Sequence, residues 1–265
     1  MTKYNCIIYE KKDKIATITL NRPEKMNALN DEIMAELPAA LEASDNDDDV
    51  RVTILTGGDK FFCTGYDLEG ASAYTEFNIP IQDSLKIART QRKKYAEIWN
   101  TRKPTIAKIS GYCFAGGCYL QMLCDVAIAG YDALFGHPAV ATSGPTGMAM
   151  WTWILGPRKA KEFLLTGRFV DAKEAEKIGL INMAVPTEKL DEEVNLMAQD
   201  MAAVPIDSST LHKESVNTII EIMGLSPSFR TQGELNALGR YGEAMLDINV
   251  LRGLTKDRLK RTKKG

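Results

Sequence analysis

The stretch KPTIAKISGYCFAGGCYLQMLCDVAIA, residues 103–129, decides the class of fold. Pro104–Ser110 is short, apolar and bounded by Pro and Gly, which predicts a strand. Gly111 then opens a turn of small residues. Residues from about Ala115 to Cys124 favour a helix, and Asp125–Ala129 reads as another short strand. Strand, turn, helix and strand in this order form a crossover unit of an α/β architecture.

The same alternation extends towards the N-terminus. Val50–Thr56 predicts a buried strand stopped by Gly57-Gly58. Further back, Cys6–Glu10 and Ile15–Leu20 flank the polar KKDK as strand, turn and strand, with Ile18 and Leu20 alternating with threonines. A helix is expected to begin near Asn30, capped by that side chain, with Asp31 and Glu32 complementing the dipole. Leu29, Ile33, Leu37 and Leu41 give it an apolar stripe, and Pro38 predicts a kink or an early break. The acidic run Asp45–Asp49 reads as a solvated loop, and Ile81 to Asn100 as a polar helix.

Towards the C-terminus the pattern turns helical. Arg158–Leu165 and Ala172–Ile178 predict short helices, Leu180–Val185 a strand stopped by Pro186, and Glu188–Ala203 and Ser208–Met223 longer helices. A last helical stretch covers roughly Gly233–Asp247, and KDRLKRTKKG (256–265) predicts a frayed basic tail.

Composition narrows the function classes. Of 265 residues, 45% are hydrophobic, enough for one substantial core. A net charge of −2 provides no global basic field for nucleic acid. The N-terminus lacks the apolar core of a signal peptide, and no apolar run is long enough for a membrane partner. Cysteines 6, 63, 113, 118 and 124 are odd in number and hold no C-x-x-C pair. His137 and His212 lack ligand-like spacing to any of them, so the expectation is a cytoplasmic chain with reduced thiols and no metal.

Two turns carry the chemistry. One is Phe61–Leu68, after a buried strand; the other is Gly111–Cys118, between a strand and a helix. Small residues at Ala115–Gly117 let a ligand approach the backbone where the new helix presents unpaired N–H groups. If the two turns meet, two backbone N–H donors can aim at one oxygen, which is an oxyanion hole. The alternative is that both are ordinary tight turns whose glycines serve packing.

At this point the chain resembles the crotonase (enoyl-CoA hydratase/isomerase) superfamily. The matching pieces are Asn21-Arg22-Pro23, Met26–Leu29, Phe62–Leu68, Lys103–Ala107, Gly111-Tyr112, Ala115–Cys118 and Cys124-Asp125. Phe135–Pro138, Gly156–Ala160, Leu165–Gly167, Ala172–Ala175 and Gly179–Asn182 follow in order. The resemblance implies an α/β spiral of ββα repeats in residues 1–200 with an acyl-CoA site, and a helical trimerisation region in 201–265. It implies an acyl-CoA substrate, a homotrimer or dimer of trimers, and no cofactor beyond the coenzyme A of the substrate. The oxyanion donors would be the N–H groups of Tyr66 and Gly116. Coenzyme A would lie against Lys25, Met26 and Tyr66–Leu68, which includes Asp67.

Two departures bear on the reaction. Family hydratases carry glutamates where this chain has Tyr119 and Ala139, and adding water to an alkene needs an acid and a base. Tyr119 is therefore the candidate acid or base, or else fills the missing volume. Tyr66 can meet a substrate polar group or form a lid on the pantetheine channel. His137 is read as organising its loop, Cys118 as a small filler, and Trp151, Trp153, Met148 and Met150 as an acyl-pocket wall or core. Asp83 and Arg89 are candidates to replace the lost carboxylates. Three readings follow: a hydratase/isomerase-like enzyme stabilising a thioester enolate, a C–C bond-cleaving hydrolase or decarboxylase of cyclic or carboxylated acyl-CoA, and a catalytically silent acyl-CoA-binding protein.

Overall fold

The computed structural model describes residues 4–70, 79–141, 148–239, 241 and 248–262. Among the described residues, ten strands form two sheets. The larger contains β1 (Ile7–Lys12), β2 (Ile15–Leu20), β3 (Val52–Thr56), β5 (Thr105–Ile109), β7 (Val126–Gly130) and β10 (Met183–Val185), hydrogen-bonded in that order. Only β1 and β2 run antiparallel; the later neighbours are parallel. The smaller sheet has the order β4 (Phe61–Cys63), β6 (Tyr112–Phe114), β8 (Leu134–Gly136) and β9 (Phe169–Asp171). Its first three strands are parallel, and β9 is antiparallel to β8.

Chain order explains the spiral. β3, β5 and β7 are each followed by a strand of the smaller sheet, so every turn of the chain contributes once to both sheets. Helix α1 (Ile33–Asp45) follows β2, α2 (Ile81–Trp99) follows β4, and α3 (Gly116–Leu123) follows β6. After β8 come a 3-10 turn (Pro138–Ala141) and α4 (Met150–Thr166), and after β9 comes α5 (Ala172–Lys177). Helices α6 (Leu190–Ala203), α7 (Ile206–Ile222), α8 (Leu225–Gly239) and α9 (Ile248–Thr262) complete the described chain. The α/β spiral of ββα repeats with a helical C-terminal region is thus observed.

Period-2 burial assigns the strand faces. In β2 the burial alternates residue by residue, with Ala16, Ile18 and Leu20 inside. On one face of the larger sheet, Val52, Ile54, Ile106 and Ile128 pack against Leu190, Val194 and Ala198 of α6. On the other, Leu55, Ala107, Ile109 and Ala127 join the main core with Phe62, Phe135 and the buried stripe of α1. The functional turns lie on that second side, between the two sheets and their helices.

Several expectations are corrected. The smaller sheet is absent from the sequence reading, which placed its β4 and β6 segments inside turns. Three residues are too few for a periodic signal, and these strands are specified by their neighbours. The hairpin turn is only Asp13-Lys14, both at positive φ, and Lys11 and Lys12 extend β1. Leu180–Val185 yields a strand only over Met183–Val185. The helix expected at Arg158–Leu165 is the second half of α4, which bends at Gly156 (φ 69°, ψ 167°) before Pro157. The last predicted helix begins at Leu225 rather than Gly233, and its expected end lies outside the described residues.

Pro38 sits inside α1 without ending it. Burial of Leu37, Ala40 and Leu41 on either side outweighs one missing backbone bond. The helix begins later than Asn30, yet the Asn30 Oδ1 accepts the Ile33 N–H at 2.9 Å. The tail is not frayed through 256–262. It belongs to α9, whose Arg258 donates to the Pro138 carbonyl at 3.3 Å.

An ion pair between a covered lysine and a carboxylate partly open to water ties α7 to the larger sheet. Asp125 Oδ2 accepts from the Thr105 N–H (2.7 Å), the Thr105 hydroxyl (2.9 Å) and Lys213 Nζ (2.8 Å). Lys213 also donates to Thr101 Oγ1 and the Lys103 carbonyl. Its side chain is 8% exposed. Lys213→Met should cost about 1 kcal/mol, because the carboxylate it leaves is partly open to water and keeps both Thr105 donors. Urea unfolding should show a lower midpoint with an unchanged slope.

Candidate active site

The two turns meet. Leu29 forms an isolated parallel bridge with Tyr66: the Leu29 N–H donates to the Gly65 carbonyl at 2.7 Å, and the Asp67 N–H donates to the Leu29 carbonyl at 2.8 Å. In a bridge of this kind the N–H of the middle residue, Tyr66, points away from the bridging segment. Gly65 lies at φ 100°, and a Cβ there would approach Ala115 Cβ to 2.9 Å and Gly116 N to 3.4 Å. A Cβ on Gly117 would come within 2.3 Å of the Cys63 carbonyl oxygen. The chain can pack this tightly only because these positions lack side chains.

The second donor stands at the start of α3. Ala115 caps the helix at φ 46°, ψ −109°, a strained conformation for a residue with a Cβ. It is held on one side by the Gly65 turn and on the other by its N–H bond to the Gly136 carbonyl at 2.9 Å. That conformation sets Gly116 as the first helical residue, whose N–H belongs to the unsatisfied set at a helix start. The Tyr66 ring lies 3.3 Å from where a Gly116 Cβ would stand, so the two turns are in direct contact.

The remaining residues suggested for coenzyme A gather on one rim. Thr64 donates through N–H and Oγ1 to the Met26 carbonyl. Lys25 pairs with Glu69 at 3.2 Å, Met26 is exposed and Leu68 is half-buried. Asp67 is buried against Arg22, whose Nη2 lies 3.0 Å from Oδ2, while Arg22 Nη1 donates to the Ala28 carbonyl. Burial acts to raise the Asp67 carboxyl, but the Glu69 N–H, Arg22 and the Gly70 N–H hold it below the ordinary carboxylate range. Asn27, with φ 54°, accepts from the Arg22 N–H and offers its amide to the carbonyls of Gly57, Phe61 and Phe62. The sequence reading gave Arg22 and Asn27 no role; both fix this rim.

Tyr119 stands three residues after Gly116, on the same helix face, and is buried. Its hydroxyl lies 3.4 Å from His137 Nε2. The ring of Tyr95 meets that of Tyr119 edge-on, with centroids 5.9 Å apart, and His137 lies beside Trp151 at 6.1 Å. Burial lowers His137 to about 4, so the imidazole is neutral at physiological pH. Burial also drives the Tyr95 phenol well above its usual value. Ala139 is half-buried in the turn after His137 and brings no ionisable group.

Helix α2 contributes residues the sequence did not single out. Tyr66 donates its hydroxyl to Gln91 Oε1 at 2.8 Å, and Tyr95, one turn later, covers Tyr119. Asp83 is exposed in the first turn, and Arg89 lines a separate cavity of about 760 Å³ with Trp99, Thr218 and Phe229. Tyr95 separates that cavity from Tyr119. Trp151 is fully buried behind His137, whereas Trp153 faces α8 and donates to Ser228 Oγ at 3.1 Å. Met148 and Met150 are buried. Cys118 donates to the Cys113 carbonyl, and burial pushes the neighbouring Cys63 thiol up to about 12. The described residues contain no cluster of three metal-ligating side chains and no helix long and apolar enough to cross a membrane.

Comparison with known proteins assigns the family. A family profile described as enoyl-CoA hydratase/isomerase matches residues 10–235. The chain belongs to this family, within the crotonase superfamily. It is 36% identical over 222 residues to a probable enoyl-CoA hydratase of Rhizobium meliloti (strain 1021), covering 83% of this chain and 84% of that one. A crotonyl-CoA hydratase of Syntrophomonas wolfei is 37% identical over 199 residues, covering 74% and 75% respectively. The crystal structure of an enoyl-CoA hydratase/isomerase from Xanthobacter autotrophicus Py2 superposes with a TM-score of 0.86 at 31% identity, over 99% of this chain and 97% of that one.

The depressed value of His137 makes stability sensitive to acid. Because the folded state resists protonation, stability is full above the unfolded value near 6.5 and falls as pH drops towards about 4. His137→Phe should remove this component, about 3 kcal/mol at most. Urea midpoints of the two proteins, measured from pH 7 down to pH 4.5, should diverge progressively, with the native protein losing more.

Proposed function

We propose that this crotonase-family enzyme binds an acyl-CoA thioester and stabilises its enolate between the backbone N–H groups of Tyr66 and Gly116. One observation carries the reading: the Gly65-Tyr66 and Ala115-Gly116 turns are packed against each other tightly enough to serve one oxygen. Donors fixed in the fold need no reorganisation as charge develops, which is the source of their catalytic value. Lys25, Met26, Tyr66, Asp67, Leu68 and Gly116 would line the coenzyme A path. Any phosphate meeting Lys25 must displace or join its pair with Glu69. The hydratases among the relatives support hydration or isomerisation of an enoyl-CoA as the first reaction class.

A second reading rests on Tyr119 and Ala139. With no carboxylate at either position, cleavage of a C–C bond in a carboxylated or cyclic acyl-CoA becomes the rival, because bond scission itself delivers the enolate. In both readings Tyr119 is proposed to exchange a proton with the substrate carbon.

Purified protein incubated with crotonyl-CoA, a cyclic β-oxoacyl-CoA, a malonyl-type acyl-CoA and saturated butyryl-CoA in D2O separates these by product mass. Water gain on crotonyl-CoA indicates hydration. Ring opening or loss of carbon dioxide indicates the second reading. Deuterium entering butyryl-CoA at the α-carbon reports the enolate itself, and silence on every thioester overturns the proposal. Tyr119→Phe should lower the productive rate about 10²-fold.

Self-association is also proposed, as a homotrimer or dimer of trimers. Helix α7 leaves Leu211, Ile219, Ile222 and Met223 more than half exposed, an apolar stripe that a second copy would cover. Sedimentation equilibrium should give three or six chains; a monomer at micromolar concentration refutes this.

A further inference from the structure

Around Tyr119 the interior contains polar atoms that the fold does not use. His137 is 3% exposed, and its Nδ1 has no hydrogen-bond partner among the described residues. The other ring nitrogen, Nε2, faces the Tyr119 oxygen at 3.4 Å, and Trp151 and Tyr119 flank the ring. Among the described residues no carboxylate bonds to the ring. A neutral imidazole carries a single proton, and its two nitrogens have very different surroundings here.

Those surroundings choose the tautomer. A proton on Nδ1 would bury an N–H with nothing to receive it, whereas a bare Nδ1 leaves only an unused acceptor. Orphaned buried N–H groups are the rarer and costlier case. The proton therefore belongs on Nε2, where the Tyr119 oxygen receives it. With its oxygen already accepting from His137, the phenol directs its own hydrogen away from the imidazole.

We infer that His137 is a positioning residue, which donates from Nε2–H to the Tyr119 oxygen and thereby makes Tyr119 the proton donor to the substrate carbon. This rests on the enolate reading above. The electron pair of the enolate forms the new C–H bond as the phenolic O–H breaks, and the thioester carbonyl is restored. The phenolate keeps the O–H electron pair, is held by the Nε2–H of His137, and regains a proton from solvent. In the reverse direction the same phenolate removes an α-proton. The absence of a glutamate at residue 119 is then no loss of proton chemistry. A phenol oriented by a neutral imidazole takes its place.

Two measurements test the inference. In the free enzyme labelled with ¹⁵N, long-range ¹H–¹⁵N correlation resolves the two histidines, with His137 assigned through His137→Phe. The expected spectrum shows His137 protonated at Nε2 and bare at Nδ1, and Tyr119→Phe shifts its Nε2 signal without moving His212. A proton on Nδ1 overturns the inference and leaves the enolate reading intact.

The second measurement follows deuterium exchange into butyryl-CoA. His137→Phe should slow maximal exchange about tenfold to a hundredfold with half-saturation unchanged. His137→Gln keeps an N–H donor and should recover much of that rate. The His137→Phe, Tyr119→Phe double variant should be no slower than Tyr119→Phe, because the two act as one unit. An unchanged rate in His137→Phe, or fully additive losses, overturns the positioning role. No exchange by the unmodified protein overturns the enolate reading, and the donor role falls with it.

Discussion

Close approach of bare main chain is the constraint on which the rest of this molecule depends. At Gly117, Gly111 and Gly57 an added Cβ would lie 2.0–2.3 Å from a carbonyl oxygen of β4 or the residue before it. The smaller sheet is folded onto its neighbours at distances that no side chain tolerates. Its strands are only three residues long, so they gain little from their own ladders and are held by this contact and by the core. The strain at Ala115 is one cost of the arrangement, and the large buried core supplies the energy that retains it.

Charge is distributed in keeping with that construction. Arg22–Asp67 and Lys25–Glu69 lie on the rim, where water or a guanidinium compensates each carboxylate. Inward of them, around Tyr119, the groups are phenols, an indole and an uncharged imidazole. A negative charge forming on a substrate oxygen would meet fixed dipoles in a poorly screened space.

The longer strands and the helices were legible from the sequence, β2 and α1 through a burial period and β3, β5 and β7 as short apolar runs. Ile15–Leu20 shows the period most plainly, and Ile33, Leu37 and Leu41 show it on a helix. The smaller sheet was not legible, because Phe61–Cys63 and Leu134–Gly136 carry too few residues to display any period. The glycines of the neighbouring turns were visible and allow either a ligand against the backbone or tight packing; the structure shows backbone packed on backbone at Gly65 and Gly117. The meeting of residues 65 and 116 was anticipated only as a condition. Gln91 and Tyr95 were missed because a polar helix offers several faces, and only the packed structure shows which one turns to the site. Asn27 carried a signal that went unused, since a non-glycine residue within a short motif between a strand and a helix often anchors carbonyls with its amide.

The pairing of Asp125 with Lys213 has a consequence for how the molecule is made. The two residues close the floor of the larger sheet, but they are widely separated along the chain. During synthesis at about 5–20 residues per second, Lys213 leaves the ribosome on the order of ten seconds after Asp125. Throughout that interval the nascent sheet exposes the Thr105–Asp125 corner to solvent, with one of its three donors still unmade. Helix α7 therefore completes a partly formed sheet, and the final native contact in that corner waits for Lys213.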